Sequence, residues 1–282
     1  MRRLRFVINP ASGGRAGALT AAHLAARFPG LVHPITDLSA AAAGCMADGA
    51  TLVACGGDGT ASAAIAAVDG RVPVAVIPLG TGNDLARHLG WSRHLDLMAQ
   101  VDRLQVAEVV RLDRWRLVGR DLDRIFVNYL SLGSDCRIAA AFHGIRRRHP
   151  RMIALMGGKT LYGLLGLQVI PIAIGRRIVW PGLPQDAGAI LFSNIRRYAG
   201  GIDLGADVRA DDGRLDVRVL PDGPRIAMAA VGWRRLRHGA TIGSGRTFTV
   251  RAAVAAQVDG EPLRLPPGDY AVTSLPAVPV LS

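Results

Sequence analysis

Three glycine-rich runs each follow a short apolar run: Asn9-Pro10-Ala11-Ser12-Gly13-Gly14, Gly56-Gly57-Asp58-Gly59-Thr60 and Pro78-Leu79-Gly80-Thr81-Gly82-Asn83-Asp84. Glycine in such a turn admits positive φ and leaves backbone N–H groups unobstructed, and a helix starting just beyond adds its positive end. One run alone is what any tight strand-to-helix turn requires. Three on one edge of a parallel sheet make a cradle for phosphates. A further run, Asp259-Gly260-Glu261, ends an apolar strand and precedes Pro262, so its carboxylates are expected to project from a loop. On its own it also reads as a solvated Asp-Gly turn. Phosphoryl transfer needs charge neutralisation by backbone N–H groups and by Mg²⁺ on carboxylate oxygens, together with a base for the hydroxyl proton. The chain supplies residues of both kinds.

Familiar alternatives fail on spacing. Gly158-Lys159-Thr160 has the tail of a P-loop, but Ile153 stands where its leading glycine belongs. Gly80-Thr81-Gly82 lacks the third glycine of a dinucleotide fingerprint, since Leu85 occupies that place. There is no G-x-S-x-G elbow and no H-E-x-x-H, and the histidines are scattered.

Such turns act together only if regular elements present them on one edge. Over the first half, short β-branched runs at 4–8, 32–35, 51–55 and 74–77 alternate with alanine-rich stretches at 16–28, 40–48 and 61–68. That rhythm is the one of repeated βα units on a mostly parallel sheet. Leu52-Val53-Ala54-Cys55 and Val74-Ala75-Val76-Ile77 are apolar on both faces, as strands covered by helices on both sides are. The glycine turns then fall at the carboxyl ends of strands, the edge where ligands bind. Farther on, strand candidates crowd together at 107–111, 115–118, 125–132, 174–179, 189–193, 215–220, 248–252 and 255–258, with helices expected over 152–169 and 225–237. The reading is an α/β, Rossmann-like domain over residues 1–120 and a second, mainly antiparallel β-sandwich domain over 121–282, with the return of the C-terminal segment to the first domain left open. No internal repeat is present.

Charge narrows the partners. The 34 basic and 22 acidic residues leave a formal charge of +12, which favours phosphorylated ligands, an anionic membrane surface or nucleic acid. The arginines are dispersed and no nucleic-acid-binding motif accompanies them, so nucleic acid is not expected. Arg146-Arg147-Arg148-His149-Pro150-Arg151 precedes the apolar Met152-Ile153-Ala154-Leu155-Met156. That order suits basic groups at anionic headgroups with apolar ones dipping inward, and suits equally a helix with a core face and a solvated end. The longest apolar stretch, 161–174, contains Gln168 and Pro171 and falls short of the roughly 18 to 20 residues of a spanning helix. Cys45, Cys55 and Cys136 have no metal or disulfide spacing. The expected location is the cytoplasm, with peripheral attachment to an anionic membrane surface; a homodimer is left open.

The pair Gly56-Gly57-Asp58-Gly59-Thr60 and Pro78-Leu79-Gly80-Thr81-Gly82-Asn83-Asp84-Leu85-Ala86-Arg87 resembles the catalytic domain of diacylglycerol and sphingosine kinases in its compact bacterial form. Weaker matches follow in family order: Asn9-Pro10 with Ser12-Gly13, Asn128 with Gly133 and Asp135, Asn194 to Asp216 with Gly200-Gly201 and Asp212-Gly213-Arg214-Leu215-Asp216, and Val258-Asp259-Gly260-Glu261. The resemblance implies a two-domain lipid kinase fold, shared with NAD kinase, with ATP in the interdomain cleft and a β-rich second domain for the lipid. The γ-phosphoryl group would pass to a lipid hydroxyl, that of diacylglycerol or a related lipid. Nucleotide-binding positions fall on Asn9, Ser12, Gly13, Gly57, Gly59, Thr60, Gly80, Thr81 and Gly82. The general base falls on Asp259, with Glu261 beside it. Carboxylates of the catalytic Mg²⁺ network fall on Asp58, Asp84 and Asp113, and a separate structural magnesium on Asp211, Asp212 and Leu215. The chain departs from the pattern at Ser62 and Ala63, where the family has an Asn-Glu pair. Two alternatives remain in view, an NAD kinase and a catalytically inactive lipid or nucleotide binder.

Overall fold

The computed structural model describes residues 1–13, 16–80, 82–149, 161, 164–165, 174–198, 202–205, 207–221, 238–242 and 245–282. Thr81 and the helix expected over 225–237 lie outside them. Of the stretch 152–169 only Leu161, Leu164 and Leu165 are described, and these are helical. Among the described residues no helix is long and apolar enough to cross a membrane.

The chain opens as alternating units: β1 (Leu4–Ile8), α1 (Ala16–Arg27), β2 (Val32–Pro34), α2 (Leu38–Asp48), β3 (Thr51–Gly56), α3 (Asp58–Ala67), β4 (Val74–Pro78), α4 (Asp84–His88) and α5 (Leu97–Val106). β1 pairs in parallel with β2 and β3, and β3 with β4, giving the order β2-β1-β3-β4. Every residue of β3 and β4 is buried, as central parallel strands must be when helices cover both faces. Phe6, Leu24, Leu52, Ile65, Ile77 and Leu85 form the middle of that core. The strand order reverses between β1 and β3, which places the ends of β1, β3 and β4 around the crevice where open α/β sheets bind ligands.

The second half is mainly antiparallel. It comprises β5 (Val109–Gly119), β6 (Leu122–Phe126), β7 (Tyr129–Gly133), α6 (Ser134–Arg148), β8 (Ile178–Val179), β9 (Ala187–Ser193), β10 (Arg197–Tyr198), β11 (Ile202–Asp203), β12 (Leu215–Pro221), β13 (His238–Ile242), β14 (Gly245–Val250), β15 (Val254–Val258), β16 (Glu261–Leu265) and β17 (Gly268–Leu281). Six strands form one sheet in the order β13-β12-β9-β7-β15-β16. It packs on an antiparallel extension of the first sheet, built of β5, β6, β8, β14 and β17, through a core that includes Trp115, Phe126, Leu130, Phe192, Phe248 and Tyr270. The fold is thus an α/β domain with a mostly parallel sheet joined to a second domain of antiparallel sheet.

Three differences from the sequence reading have physical causes. The two short candidates at 107–111 and 115–118 are one strand, β5, because Arg114 in its interior is buried rather than exposed. Its guanidinium donates to the Ile65 and Val68 carbonyls at 3.2 and 2.8 Å, satisfying the last turn of α3, and to the Pro276 carbonyl at 2.9 Å. The candidate at 125–132 is two strands, β6 and β7, split at Val127-Asn128. Helix α6, and the strands β16 and β17 with their prolines 262, 276 and 279, are elements that the alternation of apolar residues did not reveal. β17 runs antiparallel along β14 and β5 and ends in parallel against β4, with Val280 opposite Val74.

Candidate active site

The three glycine turns meet at the carboxyl ends of β1, β3 and β4. Gly13 has φ +62, and a Cβ there would lie 2.3 Å from the Leu79 carbonyl oxygen of the β4 turn. A Cβ on Gly80 would lie 2.7 Å from Gly57 Cα and 2.9 Å from Asn83 Oδ1. The β3 and β4 turns are therefore in backbone contact. The Leu79 and Gly80 amides donate to the Gly56 carbonyl at 2.8 and 3.3 Å. Positive φ was expected of the turn glycines generally, but Gly57, Gly59, Gly80 and Gly82 do not have it. What they supply is space. Asn83 adopts the left-handed conformation instead, φ 53, and its Nδ2 donates to the Gly80 carbonyl at 2.6 Å. Its Oδ1 is buried with no hydrogen-bond partner among the described residues. Asn9 Oδ1 accepts from the Ala11 amide at 3.0 Å, shaping the β1 turn, and the Ser12 amide donates to the Asn9 carbonyl at 3.0 Å. Thr60 is buried in the first turn of α3 beneath Gly56.

Asp58 and Asp84 lie on the helices that start from this edge. Asp58 Oδ1 accepts from the Leu85 amide at 3.1 Å, so the first residue of α3 holds the first turn of α4. Its Oδ2 sits where a Cβ on Gly82 would come within 2.8 Å. Burial raises the Asp58 pKa against the pull of the Leu85, Asp84 and Asn83 amides and of Arg87. Asp84 is buried and paired with Arg87 at 3.0 Å. The hard oxygen donors of these two carboxylates suit Mg²⁺, which binds through one or two carboxylates plus substrate phosphates. The orphaned Asn83 oxygen and the Cβ-free space at Gly57 and Gly59 suit a polar group entering the cradle. Among the described residues no three His, Cys, Asp or Glu side chains gather as a metal cluster.

Asp259 does not project from a loop as expected. Val258 pairs with Glu261 across a two-residue hairpin turn in which Asp259 and Gly260 both have positive φ, 48 and 86. That mirror-image turn is the one an Asp-Gly pair forms most readily. It tucks the Asp259 side chain inward, where only 7% of the residue is exposed. Oδ1 accepts from the Asn128 and Tyr129 amides at 2.8 and 3.0 Å, and Oδ2 from the Val127 amide at 3.0 Å. Burial lifts its pKa to about 6, opposed by the facing Ser62 hydroxyl and by the three amides. Glu261 is exposed, and its Oε1 lies 3.6 Å from where a Cβ on Gly59 would stand. The hairpin turn of the second domain therefore abuts the first turn of α3, beside the cradle.

The other expected acids assemble elsewhere. Asp113 Oδ2 accepts from the Gly213 amide at 2.6 Å, and the nearby Asp212 and Asp211 charges add to the burial that raises its pKa. Asp113 is thus grouped with the turn at 211–213 and not with Asp58 and Asp84. Within that turn Asp211 pairs with Arg209 at 3.1 Å, Asp212 accepts from the Arg214 amide at 2.9 Å, and Leu215 is buried at the start of β12.

Residues to which the sequence motifs assign no chemical role hold the site. Asn194 is fully buried: its Oδ1 accepts from Trp115 Nε1 at 3.0 Å, and its Nδ2 donates to the Asp113 and Val127 carbonyls at 2.9 and 2.7 Å. Asp135 accepts from Tyr198 Oη at 2.6 Å, from Gln257 Nε2 at 3.2 Å and from Ser131 Oγ. It thereby fixes β15 two residues before Asp259. Only their occurrence in the family-like motifs hinted at either.

A family model described as diacylglycerol kinase catalytic domain matches residues 3–116, and one described as diacylglycerol kinase accessory domain matches residues 125–262. The chain is 27% identical over 268 residues to "Diacylglycerol kinase 2" of Arabidopsis thaliana, covering 79% of this chain and 37% of that protein. It is 30% identical over 316 residues to "Eye-specific diacylglycerol kinase" of Drosophila melanogaster, covering 92% of this chain and 21% of that one. The chain thus spans well under half the length of these relatives. A crystal structure described as a diacylglycerol kinase from Bacillus anthracis superposes with a TM-score of 0.64 at 19% identity, over 99% of this chain and 96% of that one. At that identity the likeness is one of fold.

Proposed function

Because the chain belongs to the diacylglycerol kinase family, with catalytic and accessory parts both matched, we propose that it is an ATP-dependent lipid kinase acting on the hydroxyl of diacylglycerol or a closely related lipid. The observation that carries this reading is the abutment of the Asp259–Glu261 turn on Gly59. It sets a carboxylate with a pKa of about 6 beside a three-turn phosphate cradle.

In this reading the backbone N–H groups around Gly13, Gly57, Gly59, Gly80 and Gly82 bind the triphosphate, together with the start of α3. The γ-phosphoryl group then lies toward Glu261. The lipid hydroxyl enters opposite, between the cradle and Asp259. Oδ1 of Asp259 already accepts two amides, whereas Oδ2 accepts one and keeps a lone pair for the hydroxyl proton. A base with a pKa near the working pH is best placed for that transfer. The hydroxyl oxygen bonds to the γ-phosphorus, the bond to the bridging β–γ oxygen breaks, ADP leaves with that electron pair, and the proton rests on Asp259. Mg²⁺, held by Asp58 and Asp84, would neutralise phosphate charge. The lipid would be drawn from an anionic membrane surface approached peripherally. The run 146–151 before the apolar 152–156 is the sequence feature favouring this; the side chains of Arg146 and Arg147, and residues 150–156, lie outside the described residues.

Incubation with γ-labelled ATP and a lipid extract tests the reading. Label in a phosphorylated lipid, with diacylglycerol the preferred acceptor among pure lipids, is the expected result. Label confined to NADP, or no transfer by folded protein, overturns it.

A further inference from the structure

We propose that the second domain carries a separate binding site, outside the phosphate cradle, for a phosphate monoester attached to an apolar group. A cavity of about 320 Å³ opens between the start of α6, the residues leading into β8, and the hairpin of β15 and β16. Arg137, Arg177 and Arg264 line it, brought together from three separate stretches of chain. None of its lining residues is an aspartate or glutamate. Arg177 is anchored at the wall, its Nη1 donating to the Ala253 carbonyl at 3.2 Å. Arg264 pairs with Ala255 in the β15–β16 ladder and is exposed, and its guanidinium has no hydrogen bond or ion pair among the described residues. Gly133 and Ser134, where α6 begins, line the same space, and the Asp135 carboxylate in the first turn of that helix is engaged by Ser131, Tyr198 and Gln257.

This chemistry selects the ligand. Guanidinium groups bind phosphate through paired, charge-assisted hydrogen bonds, and several around one cavity match the multiple acceptor oxygens of a monoester. The remaining wall, including Ile174, Val254 and Leu263, is apolar and offers nothing to a hydrated inorganic ion. It suits the carbon chain of an amphiphile. The cavity borders Val254 at the start of β15, whereas Asp259 follows its end, so five residues of extended strand set the two sites about 15 Å apart. The product of the reaction proposed above is one such amphiphile, but the site does not depend on that reaction.

Calorimetric titration with dihexanoyl phosphatidate, and separately with glycerol 3-phosphate, tests it in the intact protein with a non-hydrolysable ATP analogue present at saturation. Phosphatidate is expected to bind, and Arg264→Gln and Arg137→Gln each to weaken it by roughly tenfold, the scale of one charge-assisted contact. Tighter binding of phosphatidate than of glycerol 3-phosphate is the expected result, and equal affinities would overturn the assignment of the apolar wall to a carbon chain. Failure of both to bind at millimolar concentration, affinities unchanged in both arginine variants, or displacement by the ATP analogue would overturn the proposal.

Discussion

Asp259→Asn separates the two roles that the structure combines in one side chain. The carboxylate holds the Val127, Asn128 and Tyr129 amides and, in the proposed reaction, takes the hydroxyl proton. An asparagine carbonyl can replace Oδ1 toward Asn128 and Tyr129, but its amide then faces the Val127 N–H, donor to donor. One buried amide left unpaired costs about 1–3 kcal/mol. Against this, a carboxyl raised from 3.8 to about 6 is held charged at pH 7 at a cost of about 3 kcal/mol, and asparagine removes that cost. The two nearly cancel. Folding stability should therefore change by less than about 2 kcal/mol, or a few degrees in Tm for a chain of this size, while turnover falls by roughly 10²–10⁴ with the base gone. ATP affinity should persist, because the cradle lies on other turns. Scanning calorimetry, ATP titration and steady-state rates on a short-chain diacylglycerol give the three readouts. A variant whose turnover stays within about threefold of the parent, well inside that range, refutes the base assignment, as does a rate loss that merely tracks unfolding.

The same carboxyl sets a pH dependence: kcat/KM should rise as Asp259 deprotonates near pH 6 and level off above it, and an Asp259-linked limb that is absent sinks the assignment. Because its folded pKa is raised, Asp259 adds stability that is fully present below about pH 4 and lost as pH rises through about 6, so the parent should gain stability over Asp259→Asn on acidification across that window. Gly80→Ala drives a methyl to within 2.7 Å of Gly57 Cα and should cost about 1–3 kcal/mol in overpacking while weakening ATP binding. Unchanged ATP affinity by calorimetry would dismiss the cradle. At Gly59 a Cβ meets nothing closer than Glu261 Oε1 at 3.6 Å, so Gly59→Asp should fold yet lose ATP through charge repulsion, a result that titration of the folded variant decides. Asn194→Ala strands Trp115 Nε1 and two carbonyls and should cost about 2–5 kcal/mol; a loss below about 1 kcal/mol in denaturant titration contradicts its role as a bridge.

Local pattern revealed what depends on neighbours in sequence. The parallel strands stood out because burial on both faces makes Thr51–Gly56 and Val74–Pro78 almost continuously apolar. The glycine turns stood out because backbone crowding permits no other residue at Gly80 or Gly13. The missed elements were those whose composition is set by distant partners. Arg114 breaks the apolar pattern of β5, yet it is buried because the carbonyls ending α3, more than forty residues earlier, need donors. β17 contains two prolines that interrupt a strand pattern, yet its fourteen residues link the parallel strand β4 to the antiparallel strands β5 and β14. The Asp113 grouping could not be read at all, since the Gly213 amide that defines it lies a hundred residues away.

The position of the Asp259 carboxylate follows from the same non-local bonds. A hairpin turn at the end of two strands is ordinarily free to sway, but this one is tied at its tip. Asp259 accepts amides from three successive residues at the β6–β7 junction, and its own amide donates to the Tyr129 carbonyl at 2.9 Å. That junction is bound in turn through Val127 to Asn194, and Asn194 reaches the backbone of Asp113 on β5. β5 runs beside β17, whose last residues pair with β4, the strand that ends in the Gly80 turn. The carboxylate and the cradle, on different domains, are thus linked by a continuous path of buried hydrogen bonds and strand pairing. Ser62 lies on α3 outside this path, with its hydroxyl facing Asp259 and lowering the carboxylate's pKa. This chain thus sets a small hydroxyl against the carboxylate and leaves burial as the dominant influence on it.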